Sequence, residues 1–186
     1  MKTRIVLALT MLTLATLACS IFVGGPAYPA TPVPVSTTAA QSLQNQVNQA
    51  AATGEASGTV TLNITQEQLT SYLAVYLQSQ PNLPITDPQV LLQNGQMEVL
   101  GKVQQGLFSA NLSMTMAVSV DQDGQPKITI TQEDFGPLPA PQGLNEAASA
   151  FVAEALTGSL GPAATGFRLE SISIADGVMT VSGRTK

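Results

Sequence analysis

The sequence predicts an α+β domain in which a long, strongly curved antiparallel sheet wraps around two amphipathic helices. The segment Phe108–Val120 has an apolar residue at every even position, which is typical of a strand with one dry face. Two other stretches, near residues 66–79 and 144–156, carry apolar residues at the three- and four-residue spacing of a helix. We expect these apolar faces to bury each other, with the helices in the concavity of the sheet.

The N-terminal segment 1–18 has the features of a secretory signal peptide, because Lys2 and Arg4 precede an uncharged apolar run. The run ends in Ala15-Thr16-Leu17-Ala18-Cys19-Ser20, which resembles the lipobox of bacterial lipoproteins. Cys19 is the only cysteine of the chain. The resemblance implies that cleavage makes Cys19 the N-terminal residue and that Cys19 carries lipid, with acyl chains such as palmitate.

The alternative for this segment is an uncleaved anchor helix, since apolar character continues through Ile21, Phe22 and Val23. Such a run has about 20 residues, which is just long enough for a helix to span a bilayer. Both interpretations predict the same location, a membrane-anchored protein of the bacterial cell envelope whose remaining chain lies outside the cytoplasm.

The composition argues against a nucleic-acid partner. Removal of Lys2 and Arg4 with the signal peptide leaves 5 basic residues against 12 acidic ones, a net charge of −7. An acidic chain with so few basic residues binds phosphate backbones and anionic headgroups poorly by charge.

The predicted domain organisation has three parts. After the signal peptide 1–18, residues 19–57 form a lipidated N-terminus, a Pro-rich linker and a short, weak helix near 40–52. Proline-rich sequence of this kind is extended and semi-rigid, so we expect the linker to hold the domain away from the membrane. Residues 58–186 form a single α+β domain, long enough for one core.

The first elements of this domain are a strand over Thr59–Ile64 and a helix that ends near Ser79. The helix start is marked by a capping box, in which the side chains of Thr65 and Gln68 each accept from the other residue's backbone amide. An antiparallel meander of four strands follows. Its first turn is Asn94-Gly95, a strong hairpin signal, and its third is Asp121-Gln122-Asp123-Gly124.

The last elements are the second helix and a hairpin that turns at Asp176-Gly177. In the first strand of this hairpin the apolar residues stand at odd positions before Glu170-Ser171 (Phe167, Leu169) and at even positions after it (Ile172, Ile174). This change predicts a β-bulge. The predicted element order is β-α-β-β-β-β-α-β-β.

The residues available for catalysis are few. The chain has no histidine, and its single cysteine is assigned to lipidation, which excludes Ser-His-Asp triads, Cys-His pairs and Cys/His metal sites. We therefore expect no enzyme, no cofactor and no metal. Methionines such as Met114 and Met116 are predicted on the dry face, either as core filling or as an adaptable apolar lining.

Three stretches resemble small bacterial extracytoplasmic proteins of the LmeA and YpmS type. They are Ile64-Thr65-Gln66-Glu67-Gln68-Leu69-Thr70, the strand ending at Asp123-Gly124 with the following Phe135-Gly136-Pro137-Leu138-Pro139, and Ile174–Gly183. The resemblance covers about residues 59–183. The resemblance implies a sheet curled around a long helix, like half of a tubular lipid-binding module. It also implies binding of lipid or another apolar ligand, and it implies no catalytic residue.

Two functions remain open. The first is a membrane-tethered module that binds lipid or another apolar ligand in a cavity of a few hundred Å³ between helix and sheet. The second is a structural or interaction lipoprotein of the cell envelope with a packed core, which docks through an exposed apolar patch or a sheet edge. The candidate ligand-binding residues are Leu73, Leu77, Leu112, Met114, Met116, Val118, Phe151 and Leu156.

Overall fold

The computed structural model describes residues 20–80, 83–157 and 167–185, and this part of the chain contains three helices and eight strands. In chain order they are β1 (Ile21–Phe22), α1 (Thr37–Ser57), β2 (Thr59–Thr65), α2 (Gln66–Gln78), β3 (Ile85–Gln93), β4 (Gln96–Gln105), β5 (Phe108–Val120), β6 (Pro126–Asp134), α3 (Leu144–Thr157), β7 (Phe167–Ala175) and β8 (Val178–Thr185). None of the described helices is long and apolar enough to cross a membrane.

The larger sheet is the predicted meander of β3, β4, β5 and β6, joined by the short strand β1. Strand β5 lies in the middle. It pairs with β4 on one side, while β6 and β1 share its other side along different residues. The meander strands pair antiparallel as predicted, and the parallel pairing of β1 with Phe108 and Ser109 makes the complete sheet mixed.

The smaller sheet has the order β2-β8-β7 and is antiparallel. Its register shifts between Leu169 and Ser171, which confirms the predicted bulge. Backbone hydrogen bonds from the Gly177 amide to the Leu92 carbonyl and from the Leu169 amide to the Gly124 carbonyl join the two sheets. The sheets form a strongly curled half-barrel around the helices, as the fold-class prediction requires.

The main core combines side chains from all three helices and both sheets. The alternation predicted for β5 is confirmed, because Leu112, Met114, Met116 and Val118 are all buried. The alternation of burial ends at Phe108, the first residue of the strand, whose side chain is exposed.

Helix α1 is longer than the short helix predicted near residues 40–52. Few apolar residues form the apolar stripe of this helix, but Leu43 is 1% exposed and both Leu43 and Val47 belong to the main core. A helix of marginal propensity becomes stable when its apolar stripe packs against other elements. Here α2 and β2 cover the stripe.

The Pro-rich segment predicted to be a linker packs against the domain in the structure. The backbone N–H of Val33 donates to Gln89 Oε1 over 2.5 Å, and Gln89 Nε2 donates back to the Val33 carbonyl. Further along the sheet, the backbone N–H of Asn111 donates to the Gly24 carbonyl, and Asn111 Nδ2 donates to the Pro26 carbonyl. These bonds satisfy backbone groups that proline-rich sequence leaves unpaired, so the segment is held on the sheet and not away from it.

The capping box of α2 is confirmed. The Gln68 amide donates to Thr65 Oγ1 over 3.2 Å, and the Thr65 amide donates to Gln68 Oε1 over 3.0 Å. We expect Thr65→Ala to lower the free energy of unfolding by about 1 kcal/mol, because it leaves an amide of the first helical turn without a partner. Urea denaturation checks this. Thr65→Ser keeps the acceptor oxygen and serves as the control, and equal losses in both variants would contradict the capping role.

Candidate functional site

The candidate site is an apolar pocket between α2, α3 and the inner face of the larger sheet. Helix α2 contributes residues of its second half, α3 contributes residues of its first two turns, and β3, β4 and β5 form the opposite wall. The described residues that line it are all apolar or aromatic: Leu73, Tyr76, Leu77, Leu83, Ile85, Pro88, Val99, Leu100, Leu112, Met114, Leu144, Ala147, Ala148 and Phe151. No charged side chain is among these described residues.

The pocket brings together five of the predicted site residues, Leu73, Leu77, Leu112, Met114 and Phe151. They converge because the apolar stripes of both helices face the apolar side of β5.

Two other predicted site residues, Met116 and Val118, lie further along β5, within the main core and outside the pocket lining. The side chain of Leu156 lies outside the described residues, as does Cys19.

The sequence did not indicate the part of the wall formed by Leu83, Ile85 and Pro88. These residues follow α2 where prolines interrupt the chain, and they show no helical or strand periodicity. Ile85 and Pro88 lie on β3, whose pairing with β4 shifts register between Thr86 and Gln89, and Leu83 lies just before this strand. The only available signal was the isolated apolar pair of Leu83 and Ile85 between polar residues.

The free space in the pocket is about 40 Å³, which is smaller than the predicted few hundred Å³. Ligand pockets for drug-sized molecules hold roughly 300–1,000 Å³. The apolar walls offer water no hydrogen-bond partners. Because Tyr76, Leu77 and Leu83 are only half-buried, the pocket is a cleft at the surface and not a sealed cavity.

Phe151 joins the two helices at one end of the cleft. Its side chain is 1% exposed, and its ring lies 6.1 Å from the ring of Tyr72 and 5.8 Å from that of Tyr76, both in tilted arrangements. Aromatic pairs at these distances are favourable beyond the area they bury. The Tyr72 hydroxyl also donates to Glu154 Oε1 over 2.9 Å, which fastens α2 to α3 a second time.

The tyrosines beside the cleft are neutral over the physiological pH range. Burial raises the pKa of Tyr72 well above its usual value, and the neighbouring Glu154 carboxylate raises it further. Burial also raises the pKa of Tyr76. The cleft therefore presents rings and aliphatic groups without charge, which suits alkyl chains and not polar substrates.

No group of three or more histidine, cysteine, aspartate or glutamate side chains in residues 20–80, 83–157 and 167–185 could hold a metal ion. The chemistry that the described cleft offers is apolar contact.

The fold and the cleft define an α+β half-barrel protein with an apolar groove between its helices and its sheet. No protein-family model matches the chain, and no curated protein matches it in sequence. Among solved structures it is similar to the crystal structure of a lipopolysaccharide-binding protein, with 12% identity and a TM-score of 0.29. The match covers 69% of this chain and half of that protein's length. A similarity of this degree carries no argument about function.

Proposed function

We propose that the protein is a membrane-anchored module of the cell envelope that binds lipid or another apolar ligand between α2, α3 and the sheet. The observation that carries this proposal is the wholly apolar lining of the cleft. Its half-buried rim leaves the cleft open at the surface, where an alkyl chain can enter. The resemblance to the LmeA and YpmS type supports the same function.

The present cleft corresponds to the closed state of such a module. A long alkyl chain needs several times the 40 Å³ available, so α3 has to move away from α2 as the chain enters. Relative to an alkyl chain in water, burial of roughly ten methylene groups contributes about 8 kcal/mol. This gain offsets loss of the Tyr72–Glu154 hydrogen bond and of part of the Phe151 packing, which together are worth a few kcal/mol.

Anchoring through Cys19 belongs to the same proposal. Two or three acyl chains hold a protein stably on a bilayer, whereas one chain binds only marginally. A module that exchanges an apolar ligand with the membrane gains from this attachment, because its ligand is concentrated in the bilayer.

Native mass spectrometry of the full-length protein, released from membranes in mild detergent, tests ligand binding. We expect an added mass of an alkyl-chain compound that disappears under denaturing conditions, whereas lipid attached to Cys19 remains. A spectrum without any removable mass after gentle purification would count heavily against the proposal.

Ala147→Phe is expected to reduce this removable mass strongly, because a phenyl ring at position 147 exceeds the free space of the cleft. The matched control is Ala150→Phe, since Ala150 lies on the exposed side of α3. Leu77→Ala enlarges the cleft and should retain or increase the bound ligand. Circular dichroism of each variant verifies that the fold is kept, and equal ligand in all three variants would place binding elsewhere.

A second candidate function is a structural or interaction lipoprotein with a packed core. The small volume of the cleft favours it. Chemical crosslinking in intact cells that repeatedly captures one envelope protein, together with the absence of removable ligand mass, would support this function over the first.

A further inference from the structure

Four large apolar residues with exposed side chains lie close together where β5 begins, Ile21 and Phe108 on one face of the sheet, Phe22 on the other, and Leu107 in the turn just before the strand. We call Ile21, Phe22, Leu107 and Phe108 the N-terminal apolar patch; their exposed fractions are 55%, 58%, 55% and 48%. They are neighbours because β1 pairs in parallel with the beginning of β5, with Ile21 opposite Phe108. The Ile21 amide donates to the Leu107 carbonyl over 2.6 Å, which fixes the two segments side by side.

The sequence around the patch is uncharged. Residues 20–26 and 103–110 contain no Asp, Glu, Lys or Arg, although the chain as a whole is acidic. Clusters of exposed apolar residues in soluble domains mark surfaces that contact a protein or a membrane. An uncharged surface avoids the repulsion that acidic residues would meet at an anionic bilayer.

The patch also lies beside the membrane anchor. Consecutive Cα atoms are about 3.8 Å apart, so the Cα atom of Cys19 lies within about 8 Å of that of Ile21. Ile21 is already hydrogen-bonded to the sheet, and Val23 and Gly24 continue these bonds along β5. No free linker therefore separates Cys19 from the folded domain, and acyl chains on Cys19 would bring the patch to the bilayer surface.

We infer that the N-terminal apolar patch inserts into the bilayer surface and sets the orientation of the domain on the membrane. The inference rests on the proposed anchoring at Cys19. The patch residues occupy the interfacial layer, about 5–10 Å into the boundary between headgroups and acyl chains. The domain then sits directly on the lipid, in contrast to the standoff that the Pro-rich sequence predicts.

The experiment uses single tryptophans, because the chain contains none. Full-length Phe108→Trp protein is produced in a bacterial host that lipidates envelope proteins and is reconstituted into phosphatidylcholine–phosphatidylglycerol vesicles with or without brominated acyl chains. Bromine quenches a ring at interfacial depth. We expect strong quenching and a blue-shifted emission for Phe108→Trp and for Phe22→Trp.

The matched control is Val75→Trp, since Val75 is 46% exposed and lies on α2, which contributes no residue to the patch. Its emission should not change between the two vesicle types. Ile21→Ser in the Phe108→Trp background should reduce the quenching while acylation still holds the protein on the vesicles.

Denaturing mass spectrometry separates the two proposals. Acylated Phe108→Trp protein that binds vesicles without quenching of its tryptophan would overturn the orientation inferred here and leave the anchor standing. Protein that is not acylated and does not bind vesicles would overturn both. A tryptophan at position 108 that is unquenched in vesicles but shielded from acrylamide in native membranes would assign the patch to a protein partner and would also overturn the inference.

Discussion

Phe151→Ala is expected to lower the free energy of unfolding by about 3–5 kcal/mol, the range for truncation of a buried phenylalanine. Phe151 is 1% exposed and contacts the rings of Tyr72 and Tyr76, so its loss removes packing between α3 and α2 as well as transfer free energy. Since domains of this size are stable by about 5–15 kcal/mol, the loss is a large share of the total. Urea denaturation followed by circular dichroism measures it.

Phe151→Leu is the control, because it keeps most of the buried volume and should cost clearly less than the alanine variant. Val75→Ala on the exposed side of α2 should change stability by less than about 0.5 kcal/mol. If Phe151→Ala cost no more than Val75→Ala, the packing of α3 against α2 described above would be wrong. The enlarged cleft of Phe151→Ala should also bind a small apolar compound, which would restore part of the lost stability.

Gly25→Ala is expected to destabilise the pairing of residues 21–26 with β5 by about 3 kcal/mol. Gly25 has a φ of 115°, where side chains are strained, and a Cβ atom there would lie 2.3 Å from the backbone oxygen of Asn111. Backbone atoms cannot move aside as the end of a side chain can. The segment must therefore leave the edge of β5, which breaks the hydrogen bond from the Asn111 amide to the Gly24 carbonyl.

Hydrogen exchange measures this effect locally. The amides of Ile21, Val23 and Asn111 should lose about a hundredfold in protection, which corresponds to roughly 3 kcal/mol. Gly24→Ala is the matched control, because Gly24 has a φ of 109° but a Cβ atom there would meet nothing within 4 Å. A similar loss of protection in both variants would mean that backbone strain, and not the contact of the new Cβ atom with Asn111, causes the destabilisation.

The features that the sequence predicted correctly are those encoded over short distances. The alternation of β5, the capping box at Thr65 and the bulge after Leu169 each depend on neighbouring residues, and each is confirmed. The convergence of both helices on β5 followed from their apolar stripes. These patterns sufficed for the fold class and for five of the residues that line the cleft.

The features that the sequence did not predict depend on distant partners. Pro-rich sequence suggests a free linker, and only the structure reveals that Gln89 and Asn111, 56 and 85 residues further along, bind it to the sheet. The volume of the cleft is equally hidden, because small differences in the separation of α2 and α3 decide whether its walls touch. The periodicity of apolar residues predicts which faces of the helices and the sheet pack together, but it does not predict the volume that remains between those faces.

The parallel pairing of β1 with β5 also imposes an order of events on folding. Pro26 and Asn111 are 85 residues apart, so residues 21–26 have no partner on β5 until more than half of the chain has been synthesised. Closing so large a loop is slow compared with helix formation. Cleavage and acylation at Cys19 would therefore act on an extended, unpaired chain, and the later pairing of Ile21 would withdraw the processed end from further access. If Cys19 is acylated as proposed, the anchor is therefore completed before this pairing forms.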